Sequence, residues 1–333
     1  MNKKKIVILG GGTGTYVLLT GLKKYLPQID LTVVVTMMDS GGSNRVIRDE
    51  FGLLPTSDIR QCMVALASED TDQTLRKLFT YRYESGVGIS GMTFGNLFMA
   101  ALTDIYQGNQ KKAIQETCEL LGVTGQILPV TFDNTNLVAM YENGRQVLGE
   151  HFIDEPREEL LGKKIVEVSV FPSALANPDA LSAIKAADLV VLGPGDLYTS
   201  VISNLVVDGV GKAVGKSRAK KVYVMNLMTR VGQTDNFKAS DHVVEIEKYL
   251  SGGKLDYCLI NNDLKFPTEA LAWYKKVNTY PVVDDLKEES QTKIIRTSLF
   301  DKTIYQKAKG DRLVRSLIRH DSAKLASAIM KLL

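Results

Sequence analysis

KIVILGGGTG (Lys5–Gly14) is an unbroken apolar run that stops abruptly in consecutive glycines. The same pattern returns in LTVVVTMMDSGGS (Leu31–Ser43), ADLVVLGPGDLYTS (Ala187–Ser200) and KVYVMNLMTRVGQTD (Lys221–Asp235). A strand buried on both faces of a parallel sheet reads as continuous Val, Ile and Leu. A glycine- or hydroxyl-rich loop at its carboxyl end, feeding a helix, is where open α/β sheets hold their ligands. Glycine lets the main chain approach a ligand, and the free N–H groups at a helix start suit anionic oxygens. Four such loops meeting in one crevice predict a phosphate-bearing ligand, a nucleotide above all.

The intervals between these runs set the architecture. A helix from Thr15 to Tyr25 is predicted, with Pro27 as its stop. Asp58 of Ser57-Asp58 is expected to cap the helix that follows. Further helices are expected over Thr71–Arg82, Asn96–Tyr106 and Lys111–Leu121, the last closed by Gly122. From Gln126 the pattern turns to β. Asn143-Gly144 marks a hairpin with Glu142 and Arg145 opposed across it, and Ile165–Pro172 is a further strand. Alternation then resumes with helix 178–187, strand 188–192, helix 201–214, strand 222–225, helix 243–250, strand 257–260, helix 267–275 and a closing helix 322–332. The fold class is therefore α/β. It is a Rossmann-like, doubly wound, mostly parallel sheet in one domain over 1–333, with a helical accessory region at about 57–122 and a β-hairpin insertion at about 126–172.

Composition narrows the function classes. An apolar fraction of 44% and a charged fraction of 24% are those of a globular chain. A net charge of +3 is too small to argue for nucleic acid. Lys302, Lys307, Lys309, Arg312, Arg315, Arg319, Lys324 and Lys331 outnumber Asp301, Asp311 and Asp321 in the last segment. That excess suits a solvated helix face, with one or two arginines available to a phosphate. Cys62, Cys118 and Cys258 form no paired motif and point to a reducing compartment, the cytoplasm. No apolar run is long enough for a signal peptide or a membrane span.

The loops differ in what they offer. In GGGTG, Gly10, Gly11, Gly12 and Gly14 complete neither frame of the dinucleotide fingerprint, which weakens a nicotinamide or flavin reading. A P-loop lysine is also missing. A nest of amides with the Thr13 hydroxyl remains, suited to a pyrophosphate. In DSGGS (Asp39, Ser40, Gly41, Gly42, Ser43), Asp39 is a candidate for a ribose hydroxyl, a magnesium ion or a base, or it closes its own loop. Arg48 and Arg60 can each chelate a phosphate, or pair with neighbouring acids. GPGDLYTS brings Gly193, Pro194 and Gly195 together with the hydroxyls of Tyr198, Thr199 and Ser200. Asn226 stands where an amide can read a base or sugar edge. His151 is read as a solvated hairpin residue, while His242 and His320 each neighbour an Asp. Trp273 and Tyr274 suit packing, with Tyr274 also able to offer a ring to a base.

Taken together the motifs resemble the CofD-like family, in its gluconeogenesis-factor (YvcK-type) branch. The likeness runs through GGGTG, DSGGS, SDIRQCMVAL (Ser57–Leu66), FGNLFMAAL (Phe94–Leu102), LGPGDLYTSVISNLVV (Leu192–Val207), NLMTRVGQTD with ASDHV, and IRHDSAKLA (Ile318–Ala326). LGPGDLYTS carries the branch assignment. Asn44 and Arg45 depart from the family's DSGGS flank, and Met92 stands where a histidine often precedes FGNL.

The resemblance implies a Rossmann-like domain that binds a nucleotide sugar such as UDP-N-acetylglucosamine or UDP-glucose. It implies a cytoplasmic regulator needed for growth and cell shape on gluconeogenic carbon sources, with no turnover of its own. Gly12, Thr13 and Gly14 would meet the diphosphate, Asn226 the nucleoside, and Arg319 would reach the ligand from the last segment; Asn96 and Tyr274 are carried over with them. No cofactor is expected in that branch. The alternative is the family's transferase chemistry, in which a phospholactyl-type group moves from a guanosine diphosphate conjugate to a deazaflavin acceptor with magnesium at Asp39 and Asp58. Expected partners are the nucleotide sugar, proteins of cell-wall synthesis and a second copy of the chain, with no nucleic acid and no membrane insertion.

Overall fold

The computed structural model describes residues 3–69, 71, 73–288, 291–305 and 316–333. Lys307, Lys309, Asp311, Arg312 and Arg315 of the basic last segment lie outside them. The apolar runs form the centre of a seven-stranded sheet. β1 (Lys4–Gly10) pairs in parallel with β2 (Ile29–Val35) on one side and with β7 (Leu189–Leu192) on the other. β3 (Gln126–Pro129) extends the sheet beyond β2; β8 (Lys220–Val224), β9 (Tyr257–Asn261) and β10 (Lys293–Thr297) extend it beyond β7. The order is β10-β9-β8-β7-β1-β2-β3, every pairing parallel. Ile6, Ile8, Leu9, Val33, Val34, Val190, Val191 and Val222 are fully buried, as a two-sided sheet requires.

The winding reverses between β1 and β7. Because parallel crossovers are right-handed, helices that follow opposite winding directions cover opposite faces. α1 (Gly12–Leu22) packs on α3 (Ser57–Leu66) and on the last helix, α13 (Ser322–Met330). α8 (Pro178–Ala186) and α10 (Val210–Lys216) pack together on the other layer. The accessory region is helical as expected: α3 is joined by α4 (Gln73–Thr80), α5 (Phe94–Ile105) and α6 (Gln110–Leu120), with Gly122 left-handed at φ +56 past the last of them. A separate antiparallel sheet has the order β5-β4-β6, built from β4 (Asn136–Tyr141), β5 (Gln146–Leu148) and β6 (Ile165–Phe171). Asn143-Gly144 makes its turn.

Several expectations change. α2 (Gly42–Phe51) grows straight out of DSGGS, where no helix was assigned; it buries just Ser43, Asn44 and Ile47 and turns its charged face outward. Asp58 is not a cap. It lies in the first turn of α3, and the start of that helix is held instead by Asn44 Oδ1, which accepts from the backbone N–H of Thr56 and of Ser57 (both 3.2 Å). The hairpin sheet begins at Asn136, because Gln126–Pro129 belongs to the main sheet. Arg145 pairs with Glu159 rather than with Glu142. The helix expected over 201–214 is three pieces: a wide π turn at Leu197–Ile202, α9 (Ser203–Leu205), and α10, entered through Gly209 at φ +92. α11 (Ala239–Lys248) and α12 (Thr268–Lys276) follow their predicted places, and β10 was not foreseen. No described helix is long and apolar enough to cross a membrane.

Candidate functional site

A crevice of about 460 Å³ opens at the carboxyl ends of β1, β2, β7 and β8, where the winding reverses. Its floor is main chain. Gly12 opens α1 at φ +63, a left-handed conformation in which any L side chain is strained. Gly14 lies against the next loop so closely that a Cβ there would sit 2.4 Å from the Pro194 carbonyl oxygen. A Cβ on Gly11 would meet the Asp58 carboxylate at 2.5 Å. The starts of α1 and α2, with Gly195 between Pro194 and the π turn, therefore line one space. Helix starts also carry partial positive charge, so this floor favours an anion.

The DSGGS loop is stitched from within. Asp39 accepts from Gly41 N (2.9 Å) and from Asn44 Nδ2 (2.5 Å), so it closes its own loop while facing the crevice. Ser43 Oγ accepts from Asn96 Nδ2 (3.0 Å), and Asn96 Oδ1 accepts from Arg60 Nε (2.8 Å). Asn96 is thus fully buried behind the wall, holding Ser43 and Arg60, which do line it.

The hairpin sheet supplies an acidic wall that the sequence reading missed. α7 (Glu150–Asp154) follows β5, and Glu150, His151 and Asp154 all line the crevice, so His151 is no free hairpin residue. α7 is docked on the DSGGS loop: Ser40 N donates to Glu150 (3.3 Å), and His151 N donates to Ser40 Oγ (3.0 Å). Its far end is docked on the NLMTRVG loop. Arg230 forks onto Asp154 (Nη2–Oδ2 2.6 Å, Nε–Oδ1 3.1 Å), and Gln233 donates to the same carboxylate (3.0 Å). Burial, with the charges of Asp39 and Asp154, pushes the Glu150 carboxyl well above the usual range. Burial raises Asp196 as well. Burial alone would lower Arg230, but the carboxylates of Asp196 and Asp154 outweigh it and keep the guanidinium charged. The only sequence signal for this wall was the Asp and Glu content of EHFID, which carries no spacing rule.

The remaining side comes from the NLMT loop and the end of the chain. Asn226 Nδ2 donates to Gly195 O (2.9 Å) and its Oδ1 accepts from Tyr223 OH (3.0 Å), so the amide ties two of the loops together. Tyr274 is buried; its hydroxyl accepts from the backbone N–H of Leu317 (2.9 Å) and Ile318 (3.2 Å). Arg319 lines the crevice with its guanidinium over the Tyr305 ring (3.2 Å). His320 lines it too, and burial lowers its pKa to about 4.

Gly11, Gly12, Thr13, Gly14, Asp39, Gly41, Gly42, Ser43, Asp58, Pro194, Gly195, Thr199, Ser200, Asn226, Tyr274 and Arg319 thus share one space. The others stand outside the wall. Gly10 ends β1, and its carbonyl accepts from Thr36 N. Ser40 holds α7, and Gly193 N donates to Leu9 O. Tyr198 is fully buried, with its hydroxyl directed to Ile165 O (3.5 Å). Arg48 clamps the entry to the hairpin sheet through Asn134, Thr135 and Asn136. Among the described residues no group of three or more His, Cys, Asp or Glu could hold a metal ion.

A family model described as 2-phospho-L-lactate transferase CofD matches residues 6–300. The chain belongs to the CofD family. The gluconeogenesis factor of Bacillus subtilis is 36% identical over 334 residues, covering 99% of this chain and 98% of that protein. The gluconeogenesis factor of Listeria innocua is 35% identical over 332 residues, covering 99% and 96%. A crystal structure of a Bacillus halodurans protein superposes with a TM-score of 0.88 at 35% identity, over 99% of this chain and all of that one. The two named relatives place the chain in the gluconeogenesis-factor branch, and the Bacillus halodurans structure shares its α/β fold.

Proposed function

We propose that this chain is a gluconeogenesis factor that binds a nucleotide sugar, of the UDP-N-acetylglucosamine or UDP-glucose type, and acts by binding rather than by turnover. One observation carries the reading: two helix starts and the Gly195 loop line the same crevice. A diphosphate suits that floor, and the sugar hydroxyls suit the carboxyl groups of Asp39, Glu150 and Asp154. The names of the Bacillus and Listeria relatives support a role in gluconeogenic growth. Cytoplasmic action on cell shape through proteins of wall synthesis, by a self-associating chain, extends the proposal.

A thermal-shift screen tests it. A ligand at 100 times its Kd adds about 2.7 kcal/mol, a rise of about 4 °C for a chain of this size. Uridine diphosphate sugars are expected to give that rise without metal. Thr13→Ala, which removes a hydroxyl from the floor, and Asn226→Ala, which frees the Gly195 loop, are each expected to weaken binding about tenfold. Unchanged affinity in both would place the ligand elsewhere.

The family match favours one second reading, phospholactyl transfer from a guanosine diphosphate conjugate to a deazaflavin. Asp39 and Asp58 face the crevice, but Asp39 already accepts two hydrogen bonds from its own loop. A magnesium ion there would depend on diphosphate oxygens for most of its ligands. Guanosine diphosphate with magnesium outperforming every uridine ligand would favour this reading over the first.

A further inference from the structure

The family resemblance gives Asn226 to the nucleoside, and Tyr274 is a ring able to meet a base; the fold gives the polar atoms of both other partners. The Asn226 amide spans Gly195 and Tyr223. The Tyr274 hydroxyl holds the backbone of Leu317 and Ile318, and its ring is buried with Leu227, Phe266, Ala270, Phe300 and Ile318. Beside it on α12, Trp273 stands half-buried in the crevice wall. Among the described residues its indole N–H makes no hydrogen bond. Tyr274 is the one described ring that approaches it, perpendicular (78°) at 5.1 Å. No described ring or cation lies stacked on the indole.

We infer that Trp273 is the plate on which the base of a nucleoside diphosphate stacks. The inference rests on the nucleotide reading above and names the residue that meets the base. An indole is rigid, large and apolar, and every nucleobase presents a π-face to it. Its frame is fixed. Thr229 N donates to Tyr280 O (2.7 Å), Tyr280 N to Thr229 Oγ1 (3.0 Å), and Val282 N to Leu227 O (3.1 Å), which locks the segment after α12 onto the NLMT loop. Val277, just past the end of α12, and Met228 and Val231 of the NLMT loop add further apolar lining to the crevice. Charged oxygens belong at the helix starts and hydroxyls at the acidic wall, which leaves this apolar side for the planar group.

The chain contains a single tryptophan, so the plate reports on itself. Titrating the intact protein with uridine diphosphate is expected to quench the tryptophan emission saturably, with the midpoint found by thermal shift. Inorganic pyrophosphate is expected to raise the melting temperature without quenching. Trp273→Leu is expected to weaken uridine diphosphate at least tenfold and leave pyrophosphate unchanged. Trp273→Phe, which keeps an aromatic face, recovers most of the affinity and guards against a folding defect. Nucleotide stabilisation with unaltered emission and an unaltered Trp273→Leu midpoint overturns the inference and spares the binding reading. Quenching by pyrophosphate equal to that by the nucleotide also overturns it, since the indole would then be sensing the loops. If no nucleotide stabilises the protein, the binding reading falls, and this inference with it.

Discussion

Gly12 and Gly14 are two residues apart and fail for different reasons when changed. A Cβ on Gly14 meets the main chain of Pro194, which cannot turn away as a side chain would. Gly14→Ala is expected to cost about 2 kcal/mol and to abolish ligand stabilisation. A Cβ on Gly12 meets nothing within 4 Å, but φ is +63, so Gly12→Ala is expected to cost about 1 kcal/mol. Urea unfolding of both variants checks the order. Two buried histidines set an acid limit. His242, bonded through Nδ1 to Tyr223 OH (3.0 Å), and His320 both have pKa lowered to about 4 by burial. Below pH 6.5 the unfolded chain takes up protons that the folded one refuses. The stability they contribute is therefore full above pH 6.5 and falls as pH drops towards 4, by on the order of 2 kcal/mol per histidine at pH 5. Glu150, shifted the other way, offsets part of the loss. The urea midpoint of His320→Asn is expected to fall less between pH 7 and 5 than that of the parent.

Short elements carry the site. α7 is only five residues long and gains its order from neighbours, through Ser40 at one end and Arg230 at the other. Arg230→Met leaves Asp154 with Gln233 but without its cation, in a pocket where each member of the ion pair keeps about a quarter of its side-chain exposure. The cost is expected to be about 2 kcal/mol, below that of a fully buried pair. Denaturant unfolding measures it, and ligand affinity is expected to fall with it, since two walls lose their tie. The central strands were legible because two-sided burial writes itself as an unbroken apolar run. β10 was not: KIIRT sits at the edge, half-exposed, with charges near both ends. α2 was hidden by its charged surface, and the acidic wall by distance. Glu150 reaches Ser40 of the DSGGS loop only because a sheet inserted between β3 and β7 folds back over the β2 loop, and no local spacing encodes that return.

For the whole molecule, the strand order explains why four loops found far apart in the sequence share one crevice. β1 and β7 are neighbours, so the loops that leave them run away from each other over opposite faces. The pattern of apolar run and glycine loop was enough to place Gly12, Ser43, Gly195 and Asn226 together. It could not show that Asn226 and Tyr274 would be spent on the scaffold, since a side chain's partners depend on packing. The contact of Gly14 with Pro194 joins the two windings of the sheet through bare peptide, with no side chain as cushion. Such a seam behaves as a hinge pin: a guest lodged beside it is gripped from both directions and stiffens the joint. Amide exchange at residues 12–14 and 193–200 is then expected to slow in concert when the guest arrives, as the signature of a clasp closing on its contents.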